Sequence, residues 1–342
     1  MEPLMKHLKN GKQLLPTLPL IEQLSPYVWR FLGGNPGSFT LSGTNTYLIG
    51  QGEERILFDT GSGVDIYSET LCEGMKQSGC TSISQIVISH WHHDHLGGVP
   101  QVMKIMRENG IPPPPVRKFM PNYDPQTFGN GESAINPYTL WPKDQFVPLK
   151  DGEEIACCNV HLKFMHTPGH ANDHIVAILK EENSMFTGDN VLGTGTSVFN
   201  DLHLYMNSLR LMLAKTPGRL YPGHGPIIED GCKIISTYIE HRTKRITQVV
   251  RLLSKHSKTN GEQKCWTLAA LTRAMYTELD EQLIPPAMRN TYQVLESLRV
   301  DGVVEKNGND EWSAVMKLEV ALKKIQEKTT FSVFSSSSSS KI

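Results

Sequence analysis

Three things are scarce in this sequence of 342 residues, and each scarcity narrows what the chain can be. No apolar run approaches the roughly 20 residues that a bilayer-crossing helix needs, so no transmembrane segment is expected. Cysteine is sparse, and Cys72, Cys80, Cys157, Cys158, Cys232 and Cys265 nowhere form a Cys-x-x-Cys. That argues against a zinc finger or a disulfide framework and for reduced thiols in an intracellular protein. Excess charge is also missing: 34 Lys and Arg face 35 Asp and Glu, a formal net charge of -1. The chain as a whole therefore has no electrostatic footprint for nucleic acid. A hydrophobic content of 39% over this length supports one large globular domain, or a large one with a smaller companion.

Residues 1–20 lack arginine, serine and the apolar core of a secretory signal, while Lys6, Lys9 and Lys12 against Glu2 leave a mitochondrial presequence open. The serine run 335–340 has nothing to bury, so 327–342 is expected to be a disordered tail. Its end, Ser340-Lys341-Ile342, is one residue from the peroxisomal Ser-Lys-Leu address. The cytosol is the expected compartment. The sequence does not specify an oligomeric state.

Apolar, β-branched stretches predict strands over 28–32, 44–49 and 55–58, a helix over 65–78, a strand over 86–89 and a helix over 99–108. Strands first, then strands alternating with helices, imply sheets covered by helices. Residues 111–146 break the pattern with Pro112 to Pro115 in a row, then Pro121, Pro125, Pro137 and Pro142. They read as a surface insertion forming a lip over a site. Strands resume near 154–155, 160–165, 175–179 and 184–186, followed by a helix over 204–215. From 231 a long helix runs to about 256, with a basic second half and flank through Arg242, Lys244, Arg245, Arg251, Lys255 and Lys258. Helices over 267–279 and 287–300, then two short strands about Gly308-Asn309, predict a winged-helix-like module. The expected domains are 20–230 and 231–320.

What the chain does have is a dense set of metal-binding donors. His90-Trp91-His92-His93-Asp94-His95 follows the buried-strand pattern Ile86-Val87-Ile88-Ser89. A strand end is a rigid place from which to aim ligands, and imidazole with carboxylate suits zinc and its first-row neighbours better than calcium or magnesium. Matching donors stand beside glycines in three later loops: His170 in Thr167-Pro168-Gly169-His170, Asp189 in Thr187-Gly188-Asp189, and His224 in Pro222-Gly223-His224-Gly225. A surface or tag-like histidine run would supply no such partners.

His90-x-His92-x-Asp94-His95 with His170, Asp189 and His224 in order resembles the metallo-β-lactamase superfamily. Asn35-Pro36-Gly37, Gly43-Thr44-Asn45-Thr46-Tyr47-Leu48 and Tyr205-Met206-Asn207-Ser208-Leu209 extend the likeness, over about residues 20–316, to the β-lactamase-like protein 2 family. Lactamase-like fungal polyketide thioesterases share the N-terminal wording. The resemblance implies an α/β fold, a four-layer αββα sandwich carrying two Zn2+ per chain. His90, His92 and His170 would hold one ion, Asp94, His95 and His224 the other, and Asp189 would bridge them. Asp59 would orient a ligand histidine. His174 would give a proton to the leaving group or be structural, and His93 is expected to face outward. A carboxylate at 189, where the best-known antibiotic-destroying lactamases carry cysteine, argues against lactamase action.

The leading expectation is an endoribonuclease that cuts single-stranded RNA by a metal-bridging hydroxide, with Arg242, Lys244 and Arg245 as phosphate contacts. The alternative is hydrolysis of an acyl thioester on an acyl carrier protein, coenzyme A or glutathione, with the insertion shaping an acyl pocket. A metal-stabilised binding module is the third reading, disfavoured because all seven donor positions are filled.

Overall fold

The computed structural model describes residues 8–9, 12–13, 17–121, 139, 141–255, 265–277, 284–308 and 310–330. β1 (Leu8–Lys9) and β2 (Lys12–Gln13) form a short antiparallel pair. A seven-stranded sheet follows in spatial order β3 (Ile21–Gln23), β4 (Val28–Leu32), β5 (Asn45–Ile49), β6 (Glu54–Phe58), β7 (Ser82–Ile88), β8 (Val116–Phe119) and β9 (Phe146–Leu149). β3 to β6 pair antiparallel; β6 to β9 pair parallel. The switch follows from the connections, since α1 (Asp65–Ser78) leads from β6 to β7, and α2 (His93–Leu96) and α3 (Val99–Glu108) lead from β7 to β8. A second sheet has the order β10 (Glu154–Cys157), β11 (Val160–His166), β12 (Ile175–Leu179), β13 (Ser184–Gly188) and β14 (Leu220–Pro222).

Side-chain alternation sorts two cores. On β6, Ile56 and Phe58 join Val87 of β7 against Phe164, Ile175, Ala177 and Phe186 of the second sheet. Leu57, Ile86 and Ile88 point the other way, under Tyr67, Leu71 and Met75 of α1 and Val102, Met103 and Met106 of α3. Both faces of the central strands are buried, which is why their sequences read as unbroken apolar runs.

After α4 (Leu202–Leu213) and β14 come α5 (Gly231–Lys255), β15 (Trp266–Thr267), α6 (Leu268–Met275), α7 (Ile284–Val300), β16 (Val304–Asn307), β17 (Glu311–Ala314) and α8 (Leu318–Thr330). β15, β17 and β16 form a three-stranded antiparallel sheet beside α6 and α7, a winged helix.

The chain divides into two compact units, Met1–Val198 with Pro217–Cys232, and Phe199–Thr216 with Lys233–Ile342. This grouping differs from the expected break at 230, because 199–216 belongs to the second unit: His203 of α4 lies 3.4 Å from Asp301 and Arg289 Nη2 donates to Asn200 Oδ1 at 3.0 Å. The proline-rich stretch 111–146 also needs correction, since Val116–Phe119 is a sheet strand parallel to β7. Its Lys118 is fully buried in an ion pair with Asp173, and a charged residue in a strand erases the apolar signal. Residues 122–138 of that stretch lie outside the described residues. Of the expected tail, 327–330 close α8, while 331–342, with Ser340-Lys341-Ile342, lie outside the described residues. Among the described residues no helix is long and apolar enough to cross a membrane.

Candidate metal centre

The donors come from four loops of the first unit. β7 ends at Ile88, and the single turn α2 then projects Asp94 and His95 from its start while His90 and His92 precede it. His170 lies between β11 and β12, Asp189 directly follows β13, and His224 follows β14. Backbone bonds join these loops across the two sheets: Ile175 N–H donates to Ser89 O at 2.9 Å and Asn45 N–H to Gly223 O at 2.7 Å. The buried Lys118–Asp173 pair ties β8 to the loop of His170.

Two donor clusters result. In the first, His90 Nε2 is 2.8 Å from His92 Nδ1 and 3.3 Å from His170 Nε2, and His170 Nε2 is 3.0 Å from His92 Nδ1. In the second, His224 Nε2 lies 3.3 Å from His95 Nε2 and 3.1 Å from Asp94 Oδ2. Asp189 faces both: Oδ1 is 3.3 Å from His95 Nε2 and from His224 Nε2, and Oδ2 is 3.6 Å from His170 Nε2. Gly223 allows this approach, because a Cβ there would stand 2.4 Å from Asp189 Oδ1.

The outer ring nitrogens determine what the inner ones offer. Ser89 gives its only hydroxyl proton to Asp59 Oδ2 at 2.8 Å, so His90 Nδ1–H donates to Ser89 Oγ at 2.9 Å. His170 Nδ1–H donates to Val198 O at 2.7 Å, and His95 Nδ1 lies 2.7 Å from Asp59 Oδ2. In the neutral rings, Nε2 of His90 and His170 therefore carries a lone pair toward the centre, and Nε2 of His95 offers one once its proton is displaced. Lone pairs facing one another at about 3 Å repel unless a cation lies between them. Nitrogens bound at about 2.0–2.1 Å in a tetrahedral shell stand about 3.3 Å apart, so the donor set fits such an ion. The described residues thus hold clusters that can take metal, His90, His92, His170 and Asp189 in one and Asp94, His95 and His224 in the other.

Electrostatics differ between the clusters. Burial, with the neighbouring histidines, pulls His90 well below the ordinary imidazole value and His92 down to about 3, and burial lowers His170 as well. For His95 and His224 burial acts in the same sense but is outweighed by Asp94, Asp189 and Asp59 around His95 and by Asp189 and Asp94 at His224. His95 ends well above the ordinary value and His224 rises to about 9. Burial pushes the Asp94 and Asp189 carboxyls up, yet His95 and His224 hold both below the usual carboxylate range.

The rings crowd about His90, whose centroid is 4.2 Å from that of His95, 4.5 Å from His92, 4.9 Å from His170 and 5.2 Å from His174. His174 is fully buried and both its nitrogens are engaged: Nε2 accepts from Asp189 N–H at 3.2 Å, leaving Nδ1 to donate to Thr167 Oγ1 at 3.0 Å. Through these two bonds it ties the start of the Asp189 loop to Thr167. Asp59, at a left-handed φ of 60°, also accepts from Ser89 N–H at 2.7 Å. His93 is exposed. Sequence reasoning missed Ser89, the Val198 carbonyl, and Thr44, whose Oγ1 donates to Asp94 Oδ2 at 3.3 Å. A hydroxyl directly before the run was the only signal available for any of them.

The expected RNA contacts lie in the second unit, and two of the three pack on aromatic rings. Arg242 is buried with its guanidinium 4.7 Å from the Phe199 ring centroid. Arg245 sits 4.9 Å over Tyr276 and donates to Gln248 Oε1 at 3.1 Å. Lys244 is exposed.

Residues 39–224 match the model of the metallo-beta-lactamase superfamily, and 267–312 match the beta-lactamase associated winged helix domain. The chain is 38% identical over 287 residues to a beta-lactamase-like protein 2 homolog of Caenorhabditis elegans, covering 83% of this chain and 88% of that one. It is 36% identical over 310 residues to an atrochrysone carboxyl ACP thioesterase of Aspergillus terreus, covering 88% and 89%. A beta-lactamase domain protein of Burkholderia ambifaria shares the fold, with a TM-score of 0.69 at 16% identity over 87% of this chain and 95% of that one.

Proposed function

The chain belongs to the metallo-β-lactamase superfamily of hydrolases, and on that premise we propose that it uses two zinc ions to hydrolyse acyl thioesters. The observation that carries the choice of substrate is the engagement of His174. A thiol with a pKa near 8.5 leaves as thiolate close to neutral pH, whereas the alkoxide leaving an RNA phosphodiester needs a proton donor. The histidine expected to be that donor has both nitrogens occupied.

Further support comes from the surroundings. Asn35 Nδ2 donates to Thr44 Oγ1 at 3.0 Å, Thr44 reaches Asp94, and the loop so anchored carries Phe39, 82% exposed. Val198, whose carbonyl accepts from His170, exposes 51% of its own side chain. Apolar side chains on segments tied to the donors suit an acyl chain better than a charged phosphodiester backbone. A relative at 36% identity carries a thioesterase name, and the RNA reading loses Arg242 and Arg245 to their own aromatic neighbours.

When bound, zinc lowers the pKa of a water and polarises the carbonyl oxygen. His90, His92 and His170 would hold one ion, and Asp94, His95 and His224 the other. Asp189, which faces both sets, would be shared between them. Asp94, whose carboxyl is held low, would be ionised and able to accept a hydrogen bond from a water beside the centre. Asp59 and Ser89 keep the rings of His95 and His90 in register. Water adds its oxygen to the acyl carbon, the C–S bond breaks with its electron pair on sulfur, and the products are a carboxylate and a thiol, one water proton going to the thiolate and the other to solvent.

The test offers metal-loaded protein a panel of acyl-CoA and acyl-carrier thioesters beside a fluorogenic single-stranded RNA. Expected is thiol release that chelation stops and Asp189→Ala lowers by about 10³-fold or more, with the RNA intact. RNA cleavage with the thioesters untouched would overturn the reading.

A further inference from the structure

The hairpin joining β10 to β11 bears two adjacent cysteines that the metal centre does not use. Cys157 ends β10, and the turn is Cys158-Asn159 with left-handed φ values of 55° and 59°. A two-residue turn of this kind matches the twist of a hairpin but normally takes Asn or Gly at its first position. Cysteine at 158 therefore costs conformational energy without serving the turn. The Cys157 and Cys158 sulfurs stand 3.6 Å apart. Gln85 Nε2 donates to Cys157 Sγ at 3.4 Å, and Cys158 Sγ donates to Ser84 Oγ at 3.4 Å. The turn is seated on the chain between β5 and β6, where Gln51 N–H donates to Cys158 O at 2.8 Å and a Cβ on Gly50 would stand 2.7 Å from Cys158 Cβ. Both cysteines are half-buried, neither sealed in the core nor fully exposed.

Geometry separates the two fates open to such a pair. A trans peptide keeps neighbouring Cα atoms about 3.8 Å apart, below the roughly 4.4–6.8 Å of ordinary disulfides, so joining these sulfurs to each other would strain the turn. A centre that binds two thiolates at about 2.3 Å holds them about 3.3 Å apart at a right-angled pyramidal geometry and about 3.8 Å apart at a tetrahedral one, a range that includes the 3.6 Å of this turn. Thiolates select soft centres. We propose that Cys157 and Cys158 form a dithiol site for a soft thiophilic centre, with a monosubstituted trivalent arsenical as its simplest probe.

For phenylarsine oxide the reaction balances without redox change. Two As–S bonds form, the As–O double bond and two S–H bonds break, and oxygen leaves with both protons as water. Burial pushes the Cys158 thiol up to about 12, so at neutral pH it stays protonated and oxidises slowly. The site is also remote from the metal loops, because the seven residues of β11 place about 23 Å of strand between the turn and the His170 loop.

The experiment treats the full, metal-loaded chain with phenylarsine oxide. Expected is one adduct per chain by intact mass, and protection of Cys157 and Cys158 alone from alkylation on peptide mapping. The adduct should survive excess glutathione and yield to ethanedithiol. Cys157→Ser and Cys158→Ser should each release the arsenical at least about tenfold faster in glutathione, whereas Cys72→Ser releases it at the wild-type rate, all three hydrolysing substrate at the wild-type rate. An adduct mapped to other cysteines, one that glutathione removes from wild type, or ready conversion of the pair to an internal disulfide by glutathione disulfide would overturn the proposal. The mapping uses wild-type protein, so it stands even where a serine variant folds poorly.

Discussion

On paper the donor loops of the first unit resemble the basic helix of the second unit, since each gathers residues that bind charged partners. They behave in opposite ways. Around His90 the outer nitrogens are tied to Ser89, Asp59 and a carbonyl, and the inner ones are left facing each other. On α5 the guanidiniums of Arg242 and Arg245 turn onto Phe199 and Tyr276 of their own unit, while Lys244 and Arg251 are exposed. Convergence of metal donors from four separate loops marks a site more firmly than a run of charge along one helix does.

The largest effect should come from comparing a substitution in each region. His170→Ala is expected to lower thioester hydrolysis by about 10³-fold or more at nearly unchanged stability of the chelated protein. Arg242→Ala should leave kcat/KM within about twofold and lower the melting temperature, through about 1–2 kcal/mol of lost cation–π contact and packing. Steady-state rates beside thermal melts read both, and a rate collapse in Arg242→Ala would dissolve the contrast. Next comes Asp59→Asn, which keeps the shape but weakens the hold on His95; a loss of about 10–100-fold in metal affinity is expected by competition with a chelator. Unchanged affinity would reduce Asp59 to a turn residue.

The smallest effect divides the first region within itself. His224, raised to about 9, is protonated at neutral pH in the metal-free protein, and a metal must displace that proton. Raising the pH from 7 to 8 should therefore tighten binding at Asp94, His95 and His224 by up to about tenfold per proton displaced. His90, His92 and His170 have lowered values and release no proton there, so their affinity should stay flat. Cobalt titrations followed by absorption at the two pH values distinguish the clusters, and equal slopes would remove the distinction.

Much of this was legible in the residues. α1 and α3 matched their expected spans, 65–78 and 99–108, because helical periodicity and buried strands leave dense signals. β8 was hidden by Arg117 and Lys118, and β9 by Pro148, which an edge strand tolerates. No local pattern says that α4 groups with the second unit, since that depends on residues nearly a hundred positions away. The donor set was readable because metal chemistry restricts residue type. Its outer partners were not, because the carbonyl of Val198 is the same group at every position of the chain. His174 was ambiguous for a related reason: spacing placed it near the centre but not on which side of the Asp189 loop.

The crowding of imidazoles about His90 has a consequence for the protein as a population of molecules. A ligand that binds only the folded state adds RT ln(1 + [L]/Kd) to stability, about 2.7 kcal/mol at a hundredfold excess over Kd. A cation relieving the repulsion among these rings would be such a ligand. The fraction of chains folded at a given temperature then follows the free metal in the surroundings, and a starved cell would hold fewer intact copies than a replete one making the same amount.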